Sequence, residues 1–113
     1  PVLAWSTLAG GYLTSAIELE TMLTPNSQLH AETARCYHSE ANWLRRERAI
    51  ELAAKKDCTL EQIAVSWVLH ADFPTHALCA SRSKAEASHN VASADIKISA
   101  SERVWLESGE IIE

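Results

Sequence analysis

The sequence predicts an α/β fold in which short parallel strands are separated by helices. Three observations carry this. Two short apolar runs, Val2–Trp5 and His76–Ala80, read as buried strands ending in loops. Three serine or threonine residues at the start of a helical pattern stand three positions before a Glu or Gln: Thr59 before Gln62, Ser83 before Glu86, Ser99 before Glu102. That is the capping-box spacing that opens a helix. The helices fall between and after the apolar runs, and strands joined through helices pair in parallel.

Each element follows in order. Val2–Trp5 leads into Ser-Thr-Leu-Ala-Gly-Gly, a strand ending in a glycine-containing loop. Residues 14–38 are weakly periodic, with turn chemistry at Pro25-Asn26-Ser27, and read as a long, partly helical loop. Ser39 offers an N-cap to a helix over Glu40–Lys56, with Glu40 at its start and Lys55-Lys56 at its end as the helix dipole prefers. Trp43, Leu44, Ile50, Ala53 and Ala54 form its expected apolar stripe, and Glu51 with Lys55 an outward i,i+4 pair. Leu60, Ile63, Ala64, Trp67, Val68 and Ala71 mark a wide buried face on the next helix, which Asp72-Phe73-Pro74 stops. After His76–Ala80, one helix runs from Ser83 to about Ser93 and another from Ser99 to about Glu107, with Gly109 as C-cap. Ile96 and Ile98 point one way from an extended connector. Two strands alone cannot make a parallel sheet buried on both faces, so the chain needs strands from elsewhere.

The bulk properties narrow the function classes. The chain has 113 residues, one domain's worth, and 47% hydrophobic content. A net charge of −5 argues against nucleic-acid binding through a general positive field but leaves room for a local anion site. Cys36, Cys58 and Cys79 are odd in number and widely spaced, which suits reduced thiols in a cytoplasmic protein. The five histidines lack metal-ligand spacing, and no apolar run approaches a membrane span. The opening Pro1-Val2-Leu3-Ala4-Trp5 is already apolar and β-like, without an initiator Met or signal pattern, as if the sequence began inside a longer one.

Three stretches, taken together, resemble one family. "VLAWSTLAGGYL" is similar to a strand and loop of the aldo-keto reductases, in which an aromatic residue precedes Ser-Pro-Leu. "RCYHSEANWLRRERAIELAAKKDCTLEQIAVSWVL" resembles the two helices that the family carries before its last barrel strand. "ALCASRSKAEASHNVASADIKISASERVWLE" resembles that last strand, the cofactor loop and the closing helices. The resemblance implies a (β/α)8 barrel, which needs ~250 residues. Residues 1–113 would then be its C-terminal segment, the last two strands with their helices, an incomplete domain and helix-rich by itself.

The resemblance also implies roles. Trp5 would stack on a nicotinamide ring, a flat aromatic surface fixing which face is presented; a core tryptophan is the plain alternative. Ser6, Leu8 and the loop to Tyr12 would lie over a pyrophosphate, with Gly10 and Gly11 letting backbone approach. Ser81, Arg82 and Ser83 would hold the 2′-phosphate of NADP by hydroxyls and a guanidinium fork, with NAD as the other option. Asn90 would contact adenine. Glu86 completes this set of candidate cofactor residues, although a carboxylate stands where the family often has Arg or Gln. Further departures are Thr7 for a common Pro, Cys79-Ala80 for a glycine-containing turn, and His89 for a common Glu. An ordinary helix cap explains Ser83 and Glu86 without any ligand.

Arg45, Arg46 and Arg48 form the one dense basic cluster, expected on a solvated helix face. The family's Asp, Tyr, Lys and His tetrad lies on earlier strands, so no catalytic residue is assigned, and Tyr12 and Tyr37 are not in position for that role. The expectation is the cofactor-binding, C-terminal part of an NAD(P)H-dependent oxidoreductase that interconverts small carbonyls and alcohols, inactive as this segment alone, with no nucleic-acid or membrane partner. The alternatives are a small regulatory or DNA-binding helical module and a degenerate, non-catalytic barrel homologue. A helix–turn–helix would want a basic second helix, where this sequence has Ala and Glu.

Overall fold

A computed structural model describes residues 1–15 and 28–111. Strand β1 (Val2–Ala4) is followed by a short 3-10 helix (Ala9–Gly11), then α1 (Gln28–Tyr37), α2 (Glu40–Lys55) and α3 (Leu60–Leu69). Strand β2 (Thr75–Ala77), α4 (Lys84–Ala92), a second 3-10 turn (Ser93–Asp95) and α5 (Ala100–Ser108) complete the order. The turn expected at Pro25-Asn26-Ser27 lies outside the described residues. The described chain is rich in helix with a two-stranded sheet, and β1 and β2 pair in parallel, Val2 opposite Thr75 and Ala4 opposite Ala77.

Both strands are shorter than the apolar runs suggest. Trp5 lies past the end of β1, because Ser6 turns the chain into left-handed backbone at φ 57°. The second strand begins at Thr75 and not His76. Thr75 Oγ1 donates to Val68 O at 2.7 Å, fixing the strand's start against the end of α3. After Leu78 N bonds Ala4 O, β1 has no further residue to pair, and Leu78–Ala80 become loop. A strand, not a short turn, therefore stands between α3 and α4, which is not a helix–turn–helix arrangement.

The helices start where side chains satisfy their first N–H groups. Ser39 accepts from Asn42 N, and the pairs Thr59/Gln62 and Ser99/Glu102 form complete capping boxes. Ser83 completes only half of one: its Oγ accepts from Glu86 N, but the Glu86 carboxylate accepts from Arg82 N, one residue before the cap.

The main core joins Ala49, Leu52 and Ala53 of α2, Leu60 and Ile63 of α3, Ile98 of the connector and Leu106 of α5. Ser66, fully buried inside α3, donates its hydroxyl to Ile96 O at 2.6 Å and ties that connector down. The expected stripe on α2 is partly displaced: Leu44, Ile50 and Ala54 are exposed, and Arg46, Ala49, Leu52 and Ala53 face inward.

Arg46 explains the displacement. It is 4% exposed. Its Nε donates to Tyr12 O at 3.0 Å and its Nη2 to Thr14 O at 2.9 Å, so it supplies donors to carbonyls in the loop after β1. Its guanidinium also lies 4.8 Å from the Trp43 ring centre. Arg45 and Arg48 do not stand free either. Arg45 donates to Glu107 O, and Arg48 to Leu106 O and Glu107 O, at the carbonyl end of α5. A cation there meets both unpaired carbonyls and the negative end of the helix dipole. The expected solvated face therefore holds for exposed Arg45, whereas Arg46 is buried, and Arg45 and Arg48 together clamp the end of α5.

The α5 contact is reinforced from the other side. Arg103 lies 4.1 Å from the Trp67 ring centre and donates to Trp67 O, while Lys56 pairs with Glu102 at 2.9 Å.

Replacing Arg46 with Met keeps bulk but strands two loop carbonyls. Loss of about 2–3 kcal/mol is expected, read by urea unfolding, with Arg45→Met costing well under half of that. Acid should also destabilise the chain. Burial pushes the carboxyls of Glu61 and Glu102 up, but bonds from Ser15 to Glu61, and from Ser99 and Lys56 to Glu102, outweigh it and leave both below the usual carboxylate range. The folded chain then holds fewer protons than the unfolded one. Their stabilisation is complete above an unfolded value of about 4.3 and is lost as pH falls through the lower folded values. Thermal melts between neutral pH and pH 3 should show this fall, and the double variant Glu61→Gln/Glu102→Gln should flatten it.

Candidate functional site

In a parallel sheet both strands end on the same side, and there the loops diverge and leave a cleft. Here the cleft has a volume of about 660 Å3. Trp5, Ser6, Thr7 and Leu8 line it from the loop after β1, Leu78 to Ala80 from the loop after β2, and Asn90 from α4.

The β1 loop is held in an unusual shape. Ser6 and Ala9 have φ of 57° and 52°, sparsely populated for residues with a Cβ, and Gly10 and Gly11 follow at 63° and 96°. A Cβ on Gly10 would come within 3.3 Å of Thr33 Oγ1, so glycine also permits the close approach of α1. Thr33 Oγ1 donates to Gly10 O, and Ser6 Oγ shares a hydrogen bond with Tyr37 Oη at 3.3 Å. The loop closes on its own carbonyls through the N–H groups of Ala9, Gly11, Tyr12 and Leu13. Among the described residues, the N–H groups of Thr7, Leu8 and Gly10 have no hydrogen-bond acceptor, and all three residues line the cleft. Unpaired backbone donors at a glycine-containing turn suit an anionic group.

Tyr12 points the other way. It is 2% exposed, bonded to His38 Nδ1 at 3.2 Å and packed edge-on to Trp43. Burial raises its phenol pKa, with Arg46 pulling against that rise. It anchors the loop to α1 and α2.

Trp5 is 84% exposed, so its indole is not a core side chain within the described structure. The same residue, with Ser6 and Thr7, also borders a second, apolar cavity of about 590 Å3 on the helical side, lined by Ala49, Ile63, Trp67 and Leu106. That cavity lies between β1 and the helices and carries none of the other predicted site residues.

The predicted residues therefore fall into two groups. Trp5, Ser6, Leu8 and Asn90 share the cleft wall. Ser81, Arg82, Ser83 and Glu86 stand beside it, on the exposed loop and first turn of α4. Asn90 joins the groups, because its Nδ2 donates to Ser81 Oγ at 3.0 Å. Both serine oxygens in that loop accept bonds, and their hydroxyl protons stay free to donate outward. The Arg82 guanidinium makes no ion pair among the described residues.

Sequence reasoning missed the supports. Thr33 and Tyr37 come from a stretch with weak periodicity. His89, read only as a departure beside Asn90, bonds Thr59 Oγ1 at 2.9 Å, while Gln62 Nε2 donates to His89 O. The cap of α3 thus holds the middle of α4. Among the described residues no three His, Cys, Asp or Glu side chains gather as a metal site, and no helix is long and apolar enough to cross a membrane.

The three cysteines are free. Cys36 and Cys79 are exposed, whereas burial raises the Cys58 thiol pKa, with Lys56 lowering it and Asp57 raising it. Iodoacetamide at pH 8 should alkylate Cys36 and Cys79 well before Cys58, read by peptide mass spectrometry. Equal rates would contradict the packing of Cys58 against the core.

Comparison with curated protein sequences and with solved structures returns no match. The profile described as "Aldo/keto reductase family" matches residues 1–108. That span contains both strands, both cleft loops and every helix described above, and the chain belongs to the aldo/keto reductase family.

Proposed function

We propose that this chain is the C-terminal, cofactor-binding segment of a cytoplasmic (β/α)8 oxidoreductase that interconverts small carbonyls and alcohols with a nicotinamide dinucleotide. The observation that carries the reading is the cleft at the carboxyl ends of two parallel strands, which gathers Trp5, Ser6, Leu8 and Asn90. In barrels, such ends form the working face.

The donor set fits the dinucleotide. Trp5 offers a broad exposed aromatic face for the nicotinamide. The loop Thr7–Gly11 offers backbone N–H groups to the pyrophosphate. Ser81–Ser83 and Asn90 offer hydroxyls, a guanidinium and an amide to the adenosine end. Arg82 is the group that favours a 2′-phosphate, hence NADP, and Glu86 is the group that opposes it. The bound nicotinamide would supply or accept a hydride. This chain's residues bind and orient it, and none is assigned to proton transfer. Exposed Val2, Leu3 and Phe73 suit coverage by neighbouring barrel strands and loops. A net charge of −5 disfavours a nucleic acid held through a general positive field and leaves room for a nucleotide at a local site.

Titration with NADH or NADPH should quench tryptophan emission, and Trp5→Ala should weaken binding about tenfold, as expected for loss of a stacking surface worth about 1–3 kcal/mol. Bound dinucleotide should also shield Cys79, on the cleft wall, from alkylation, and leave Cys36 reactive. Unchanged affinity in Trp5→Ala, with Cys79 unprotected, would refute the reading.

A further inference from the structure

We propose that Tyr37, on α1 and outside the cleft wall, is a positioning residue: its phenol turns the Ser6 hydroxyl proton toward the cleft, where a ligand can accept it. The inference rests on the reading that the loop after β1 meets a dinucleotide.

Ser6 needs a hold from outside its own loop. Its φ of 57° is rare for a residue with a Cβ, and such a backbone persists only where the surroundings fix it. The Ser6 carbonyl is engaged within the loop, accepting from Ala9 N at 2.9 Å. Among the described residues its side chain has one partner, Tyr37 Oη at 3.3 Å.

The chemistry of that pair sets its direction. A phenol is a stronger acid than an alkyl alcohol, so Tyr37 is the better donor and Ser6 the better acceptor. Burial argues the same way. Tyr37 Oη has no second hydrogen-bond partner among the described residues, and its ring packs against buried Tyr12. If Ser6 donated, the phenol proton would be left unbonded on a partly buried group, at a cost in free energy. With Tyr37 donating, every proton is used or exposed: the phenol's goes to Ser6, and that of Ser6 faces the cleft it lines.

Tyr37 is itself well fixed. Asn42 Nδ2 donates to Tyr37 O at 2.8 Å and ties the end of α1 to α2. One turn earlier, Thr33 Oγ1 donates to Gly10 O at 3.0 Å. A Cβ on Gly10 would stand 3.4 Å from the Tyr37 ring, so glycine at this position keeps α1 close. Thr33 thus holds the loop backbone, and Tyr37 holds the hydroxyl.

A double-mutant cycle tests the role. NADPH affinity is measured by isothermal titration calorimetry on the wild-type chain, Tyr37→Phe, Ser6→Ala and the double variant, with circular dichroism to check each fold. Tyr37→Phe keeps the packed ring, and Ser6→Ala keeps the Cβ and its backbone preference. Tyr37→Phe should weaken binding about three- to tenfold, as loss of one oriented hydrogen bond predicts. In the Ser6→Ala background the same change should cost nothing further, because no hydroxyl remains to orient. Equal losses in both backgrounds would mark Tyr37 as packing alone and overturn the inference. So would full affinity in Tyr37→Phe, and both results would spare the functional reading. A folded wild-type chain that binds no NADPH would overturn both.

Discussion

The pairing of β1 with β2 in parallel is the constraint on which the rest depends. Parallel strands cannot be joined by a tight turn, so the chain must run from the end of one back to the start of the other. It does so through α1, α2 and α3. The same pairing places the chain leaving Ala4 and the chain leaving Ala77 on one side of the sheet. The cleft is a consequence of that direction, because two loops leaving adjacent parallel strands must part. The helical layer then has one task toward the site, to hold those loops in place.

Arg46 shows how that task is done at the β1 side. The loop after β1 turns through several left-handed residues, and such a segment cannot satisfy all its carbonyls locally. A buried guanidinium offers directed donors at a fixed spacing and resolves the problem from α2. This is also why polarity alone places part of the α2 stripe on the wrong side. Periodicity sorts residues by polarity, and a buried arginine counts as polar in any such pattern. Periodicity therefore groups Leu44, Ile50 and Ala54, which are exposed, with half-buried Trp43 and buried Ala53, and leaves out Arg46. The helix starts were legible because capping chemistry is local: a hydroxyl, three positions, a carboxylate or amide. The strand ends were not, because they depend on which residue of a distant partner remains to pair. Of the predicted site residues, Trp5, Ser6, Leu8 and Asn90 lie together in the cleft, while Ser81, Arg82, Ser83 and Glu86 stand beside it. Thr33, Tyr37 and the bond between Thr59 and His89 have no signal in the sequence, because each is a tertiary contact that no short motif encodes.

At the β2 side the loop is held differently. Among the described residues, no buried charge reaches it. Ser81 is bonded by Asn90, Arg82 by Glu86, and the helix that carries both partners is bonded to the cap of α3 through His89. The position of the exposed loop is thus passed back to the core in three steps: loop to α4, α4 to Thr59, and Thr59 to the helix that packs Ile63 and Leu60. Thr59 serves both ends at once, accepting from Gln62 N while sharing its hydroxyl with His89 Nε2. A hydroxyl can do this because it has one proton and two lone pairs.

That chain of bonds decides what kind of site the loop can be. A loop shaped only by a bound ligand would present its donors unpaired and would order on binding. This loop has its backbone N–H at Arg82 and both serine oxygens engaged before any ligand arrives. A ligand meeting it can use what the internal bonds leave over: two hydroxyl protons, a guanidinium, and the spare lone pairs of a carboxylate. Glu86, bonded to Arg82 N, thus both shapes the loop and leaves a carboxylate in the first turn of α4.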